Sequence, residues 1–129
     1  MRVYNKWHSM IKKELKKMNL THPQFVVLAS LAYLSQNGNE ITQIMISKLS
    51  GIDVMTVSQI LNLLEKNDFV KRKEHSKDTR AKAVILNKKG EEVLQKAVPL
   101  VEQIDEIFFE KLDTDEEQFK HFLARLNEE

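Results

Sequence analysis

The side chains Met55, Gln59, Asn62 and Lys66 recur at steps of three or four, with Thr56 and Ser58 on their flanks, which gathers them on one side of a helix. The other side of that helix holds Val57, Ile60, Leu61 and Leu64, an apolar i, i+3, i+4, i+7 stripe. An outward face rich in hydrogen-bonding groups but carrying one full charge, Lys66, is not an ordinary solvated surface. Its groups match the donors and acceptors that base edges present in the major groove. Directly after it come Lys71, Arg72, Lys73, Lys77, Arg80 and Lys82, cations suited to phosphate oxygens. Each feature has a plainer reading as well. The helix face could be simply solvated, and Lys71–Lys73 could be a charged edge strand that blocks aggregation. Asp78 with Arg80 could be an ordinary surface ion pair.

Other chemistry is poorly supplied. The chain has no cysteine, so thiol chemistry and Cys-ligated metals are excluded. His8, His22, His75 and His121 are scattered without a His-x-x-x-His pair, and no metal site or cofactor is expected. Glu116-Glu117 falls in the first turn of a helix, where acids favour the dipole. There is no Gly-rich phosphate loop, nucleophile elbow or Ser–His–Asp order, and the chain is not expected to be an enzyme.

The elements that must position these groups are helical. The 129 residues suffice for one domain, and 3 Gly and 2 Pro leave little room for an all-β sandwich. Tyr4, Trp7, Ile11, Leu15 and Met18 form a first helical stripe. Thr21 and Gln24 have capping-box spacing with Pro23 in the first turn, opening a second helix that buries Phe25, Leu28, Ala29, Ala32 and Tyr33. Asn37-Gly38-Asn39 breaks the chain. Thr42 caps a short helix to Leu49, with Ile46 and Leu49 inward; Ser50-Gly51-Ile52 turns, and Asp53 caps the polar-faced helix. Phe69–Lys73 and Lys82–Leu86 are expected as strands of a hairpin. Asn87 caps a long helix carrying Val93, Leu94, Ala97, Val101, Ile104 and Phe108, with a kink at Pro99. Thr114 and Glu117 form a second capping box for a last helix with Phe119, Phe122, Leu123 and Leu126 on one face.

The net charge of +1 hides an uneven distribution. Residues 1–65 carry +3, residues 66–89 carry +6 and residues 90–129 carry −8. A basic middle suggests a polyanion-binding face, and the acidic end a separate role. No apolar run approaches the roughly 20 residues of a membrane span, and Met1–Trp7 lacks a signal-peptide core. The expected setting is cytoplasmic, with no membrane partner.

A short helix, a Gly-containing turn and a polar-faced helix make a helix-turn-helix, and the basic hairpin beside it makes a wing. Here the chain resembles the MarR (multiple antibiotic resistance regulator) family of transcription regulators. The resemblance rests on Ile41-Thr42 through Gly90: the polar helix ending Leu64-Glu65-Lys66, the Asp78-x-Arg80 wing tip, and Leu86-Asn87-x-x-Gly90 opening the next helix. Leu20–Phe25 also resembles the family's entry to its second helix. Ser47 stands where the family usually has Ala, Asn87 where it has Thr, and Asn67-Asp68 where it has Lys-Gly. The left-handed turn before the wing must therefore fall on Asn or Asp.

The resemblance implies a mainly α fold with a small β-hairpin wing. In it, a winged helix-turn-helix lobe at 20–87 is flanked by dimerisation helices at 1–19 and 88–129. It implies that Met55, Thr56, Ser58, Gln59 and Asn62 face the major groove of double-stranded DNA. Lys66, Lys71, Arg72, Lys73 and Lys77 would contact phosphates, and Arg80 would enter the minor groove with Asp78 holding it in place. It also implies a repressor that is released by a small amphipathic effector, seated between the dimer helices and the DNA-binding lobe. Trp7, Ile11, Leu15, Phe108, Phe119, Phe122, Leu123 and Leu126 are more apolar surface than one small chain hides easily, and they read as a homodimer interface. Those residues could instead back the core within one chain. A winged-helix module that binds another protein is the alternative function, although such a helix would more often expose aromatics or Leu.

Overall fold

The computed structural model describes residues 1–128. Six helices and one hairpin follow in the expected order. They are α1 (Arg2–Lys16), α2 (His22–Ser35), α3 (Gln43–Ser50), α4 (Val54–Lys66), β1 (Val70–Glu74), β2 (Lys82–Leu86), α5 (Lys88–Phe109) and α6 (Glu116–Leu126). A 3₁₀ turn, Glu110–Asp115, joins the last two helices. The fold is mainly helical with a two-stranded antiparallel wing.

Helix α2 is the central post, packed against α1, α3, α4, α5 and β2. Its start is held by the expected capping box: Gln24 N donates to Thr21 Oγ1 at 3.2 Å, and Thr21 N donates to Gln24 Oε1 at 3.1 Å. Contact on so many sides buries Gln24, Phe25, Val27, Leu28, Ser30 and Leu31, more than one stripe. Tyr33, expected inward, is instead exposed, because it lines the open cleft between α2, β2 and α5. Leu49 is likewise exposed, and Ile46 alone of α3 is fully buried. The α4 stripe Val57, Ile60, Leu61 and Leu64 is buried as its spacing required.

Ile11 and Leu15 require a correction. Both are 0% exposed within the single chain, in one core with Leu28, Leu31, Leu61, Leu94 and Ala97. They cannot also cover a partner, since helix α1 turns this pair onto α2 and α5.

The hairpin pairs Val70 with Leu86 and Arg72 with Val84, and Val84 N also donates to Ile41 O at 2.7 Å, which ties the wing to the α2–α3 connection. Strand β1 starts one residue later than expected, since Phe69 is still turning out of α4. That turn puts Asp68 at φ 63°, so of the two residues expected to take the left-handed turn, Asn67 and Asp68, it is Asp68 that does. Asn87 occupies the cap position of α5, but its side chain makes no cap bond; its amide donates to Asp68 O and Oδ1 instead. Gly90 lets the start of α5 pass close to the wing root. A Cβ there would lie 2.3 Å from Phe69 O and 2.7 Å from Leu86 Cδ1. Helix α5 runs continuously through Pro99. Thr114 lies in the 3₁₀ turn, and α6 begins after it at Glu116 without a side-chain cap, so the second capping box does not form.

Candidate nucleic-acid interface

Helices α3 and α4 meet at a bend of 112°, within the range of a helix-turn-helix. Gly51, at φ 77°, ends α3 in the left-handed cap. Ser47 Oγ donates to Ile52 O at 2.6 Å, and Ile52 N donates to Ser50 Oγ at 3.2 Å, fixing the turn. Asp53 then caps α4, accepting from Thr56 N at 3.1 Å and from Thr56 Oγ1. These bonds hold the Asp53 carboxyl below its ordinary pKa.

On the outward face of α4, Met55 is 75% exposed, and Gln59, Asn62 and Lys66 are exposed with it. Thr56 and Ser58 are half-buried. Arg72 of β1 sits differently from its expected role. Its guanidinium donates to Gln43 Oε1 at 3.2 Å, to Glu65 Oε1 at 3.1 Å and to Asn62 Oδ1, and its side chain is 15% exposed. It ties α3, α4 and the wing together, and it keeps the Glu65 carboxyl below its ordinary pKa. Lys71, Lys73 and Lys77 stay exposed along the wing.

At the wing tip Arg80 is 91% exposed. Asp78 Oδ1 accepts from Arg80 N at 3.1 Å and from Arg80 Nε at 3.4 Å, so one carboxylate oxygen holds both loop and side chain. The loop has a second anchor that sequence spacing did not reveal. His75 Nδ1 accepts from Lys77 N and Asp78 N, each at 3.1 Å, which leaves the ring proton on Nε2, 3.6 Å from Glu40 Oε2. Glu40 also accepts from Ser76 N at 3.0 Å and from Ser76 Oγ. The two Ser76 bonds hold the Glu40 carboxyl below its ordinary pKa. Glu40 and Ser76 are 36 residues apart, so no local pattern could have paired them. Helix tip and wing converge on one cleft of about 580 Å³, lined among others by Gln43, Ile44, Val54, Arg72, Asp78 and Arg80.

The residues expected at a dimer interface divide. Trp7 is half-buried, and its Nε1 donates to Asp105 Oδ1 at 2.7 Å. Phe108 and Phe119 are half-buried, while Phe122, Leu123 and Leu126 are exposed, Leu126 by 83%. Two of the histidines are not scattered after all. His8 and His22 Nδ1 atoms lie 2.9 Å apart, and burial first, then His8, holds His22 below its ordinary pKa. No group of three or more His, Cys, Asp or Glu among the described residues is placed to hold a metal ion. A second cleft, about 1040 Å³, opens between α2, β2 and α5, where Tyr33, Val84, Leu94 and Val98 line it together with Glu40, Lys73 and Glu91. No single described helix is long and apolar enough to cross a membrane.

Residues 16–104 match the family model described as ArnR1-like, winged-helix domain. The chain is similar to the HTH-type transcriptional regulator YdcH of Bacillus subtilis (strain 168), 36% identical over 103 residues that make up 80% of this chain and 70% of the relative. Among solved structures it is similar to a mutant MarR from E. coli complexed with operator DNA. The TM-score is 0.87 at 22% identity, covering 98% of this chain and 89% of the other. It is also similar to Bordetella bronchiseptica BpsR, whose DNA binding is regulated by 6-hydroxynicotinic acid. Here the TM-score is 0.82 at 25% identity, covering 96% and 86%.

Proposed function

Because the chain belongs to the ArnR1-like winged-helix family and is a transcriptional regulator of the MarR winged helix-turn-helix type, not an enzyme, we propose that it is a cytoplasmic repressor. It acts as a homodimer on a pseudo-palindromic operator. The observation that carries this reading is the convergence of the α4 tip and the wing on one cleft, with Arg80 projecting beside it. Helix α4 enters the major groove through Met55, Gln59 and its neighbours. Lys66, Lys71, Lys73 and Lys77 hold phosphates. Arg80 reaches the adjacent minor groove, where a narrowed A·T segment concentrates negative potential, and Asp78 orients it. Arg72 supports this surface from behind.

Residues 20–87 form the reading lobe of a single domain, and segments 1–19 and 88–129 supply the dimer helices. Support for the dimer comes from the apolar face left open on α6 and α5, where Phe122, Leu123, Leu126 and Ile107 are all exposed. Such a twofold places recognition helices about 34–36 Å apart, one turn of DNA. The cleft between α2, β2 and α5 supports an amphipathic effector, since apolar walls meet a polar rim where the reading lobe joins α5.

Selection of bound duplexes from a random pool tests the reading. Enrichment of a palindrome, with affinity falling steeply as salt rises, is the expected result. No preference over random duplex at moderate salt would leave the protein-binding module as the better account.

A further inference from the structure

The tip of α4 is the part of a recognition helix that meets base edges, and the structure occupies some of the hydrogen-bonding groups on this face. Thr56 is bound to Asp53, Asn62 accepts from Arg72, and Ser58 is half-buried. Beside the exposed polar groups, apolar side chains also face outward here. Met55 is 75% exposed and Val54 40%, while Ile44, which lines the same cleft as Val54, is 56% exposed. Gln59 is the exposed uncharged hydrogen-bonding side chain of this face that has no partner among the described residues, Ser58 being half-buried. Single exposed apolar side chains need no explanation. Several together on the surface that meets a polyanion do, because only contact with another apolar group removes them from water favourably. The major groove projects one such group, the 5-methyl of thymine.

We propose that Met55, with Val54 beside it, reads thymine methyl groups, and that Gln59 takes the N6/N7 edge of a nearby adenine, so each half-site is recognised through A·T pairs. Met55 and Gln59 are one helical turn apart on the same face, roughly 5–6 Å between Cβ atoms. That is less than two base-pair steps of about 3.4 Å, so both can engage adjacent or next-adjacent pairs. Glutamine is suited to adenine because its amide donates to N7 while accepting from N6. The inference rests on the DNA-reading function above and adds what is read.

The test uses the duplex enriched from the random pool, resynthesised with deoxyuridine in place of thymidine. Uracil keeps every hydrogen-bonding group of thymine and lacks only the methyl. Wild-type protein should bind the half-site-substituted duplex about fourfold more weakly per contacted methyl, the factor that burying one such group carries. Met55→Ala, at an exposed position where folding is not at stake, should bind the thymidine duplex more weakly and distinguish it less from the uridine one. Uridine placed outside the half-sites should change nothing. Equal wild-type affinity for both duplexes would overturn the inference while leaving operator binding intact. So would an undiminished preference in Met55→Ala, or an equal loss from uridine outside the half-sites. Failure of any duplex to enrich would overturn the DNA-reading function itself, and this inference with it.

Discussion

Arg72 separates the pattern in the sequence from the geometry of the fold, and Arg72→Met puts the two against each other. As a member of a basic run, Arg72 should touch a phosphate; in the structure its guanidinium is spent on Gln43 of α3 and on Asn62 and Glu65 of α4. Methionine keeps the length and apolar stem while removing all the donors. A hydrogen bond to a charged partner contributes about 1.5–3 kcal/mol and a neutral one about 1. Glu65 and Asn62 are exposed and can turn to water, which discounts the sum. About 1–2 kcal/mol of folding stability should therefore be lost, a fall in melting temperature of roughly 4–7 °C for a chain of this size. The assays are urea unfolding and operator titration over a range of salt. A tie between helices lowers stability and leaves the salt slope unaltered, whereas each phosphate contact removed flattens the slope by about 0.9. Unchanged stability with a slope lower by about one would refute the structural role and restore the phosphate contact.

Arg80→Ala should weaken operator binding by about 1–3 kcal/mol. Asp78→Ala should weaken it too, although it removes a negative charge beside DNA; tighter binding by Asp78→Ala would show that the carboxylate does not position Arg80. Gly90→Ala should lower the urea midpoint by an equivalent of about 1–3 kcal/mol, because the new Cβ meets the Phe69 carbonyl at 2.3 Å; a neutral or stabilising result would mean that helix propensity outweighs the contact. His22, faced by His8, Asp105 and Trp7, is held below 6.5 in the folded chain. Its neutral form therefore favours folding fully above pH 6.5, and that contribution is lost as pH falls from 6.5 through the lowered folded value. Thermal unfolding of wild type and His22→Gln from pH 7.5 to 5 should show a steeper acid loss in wild type, and parallel curves would remove His22 as the cause. Light scattering at micromolar concentration should give twice 15.1 kDa, and a monomer with intact operator binding would defeat the dimer.

Much of this molecule was legible in the chain because it depends on near neighbours. The α4 stripe, the Thr21–Gln24 capping box and the Asp53 cap all involve residues within a few positions of one another. Backbone geometry alone carries such signals, and the resemblance through the wing to Gly90 added the fold. The second capping box, at Thr114, failed although its spacing was right, because the chain leaving α5 turns as a 3₁₀ helix and strains Asp113 to φ 50° before α6 begins. Composition also marked the basic wing, but charge does not say which cation is free. Arg72 and Lys71 are neighbours in sequence, yet strand alternation turns one toward α4 and the other toward solvent. The Glu40–Ser76–His75 anchor, the His8–His22 contact and the closure of Ile11 and Leu15 into the core join segments far apart in the chain. A periodic stripe states that a face must be covered, not by what, and a polar side chain states that it can bond, not with whom. Only the packing of α2 against five other elements decided those partners, because it alone sets which distant groups come within hydrogen-bond and van der Waals reach.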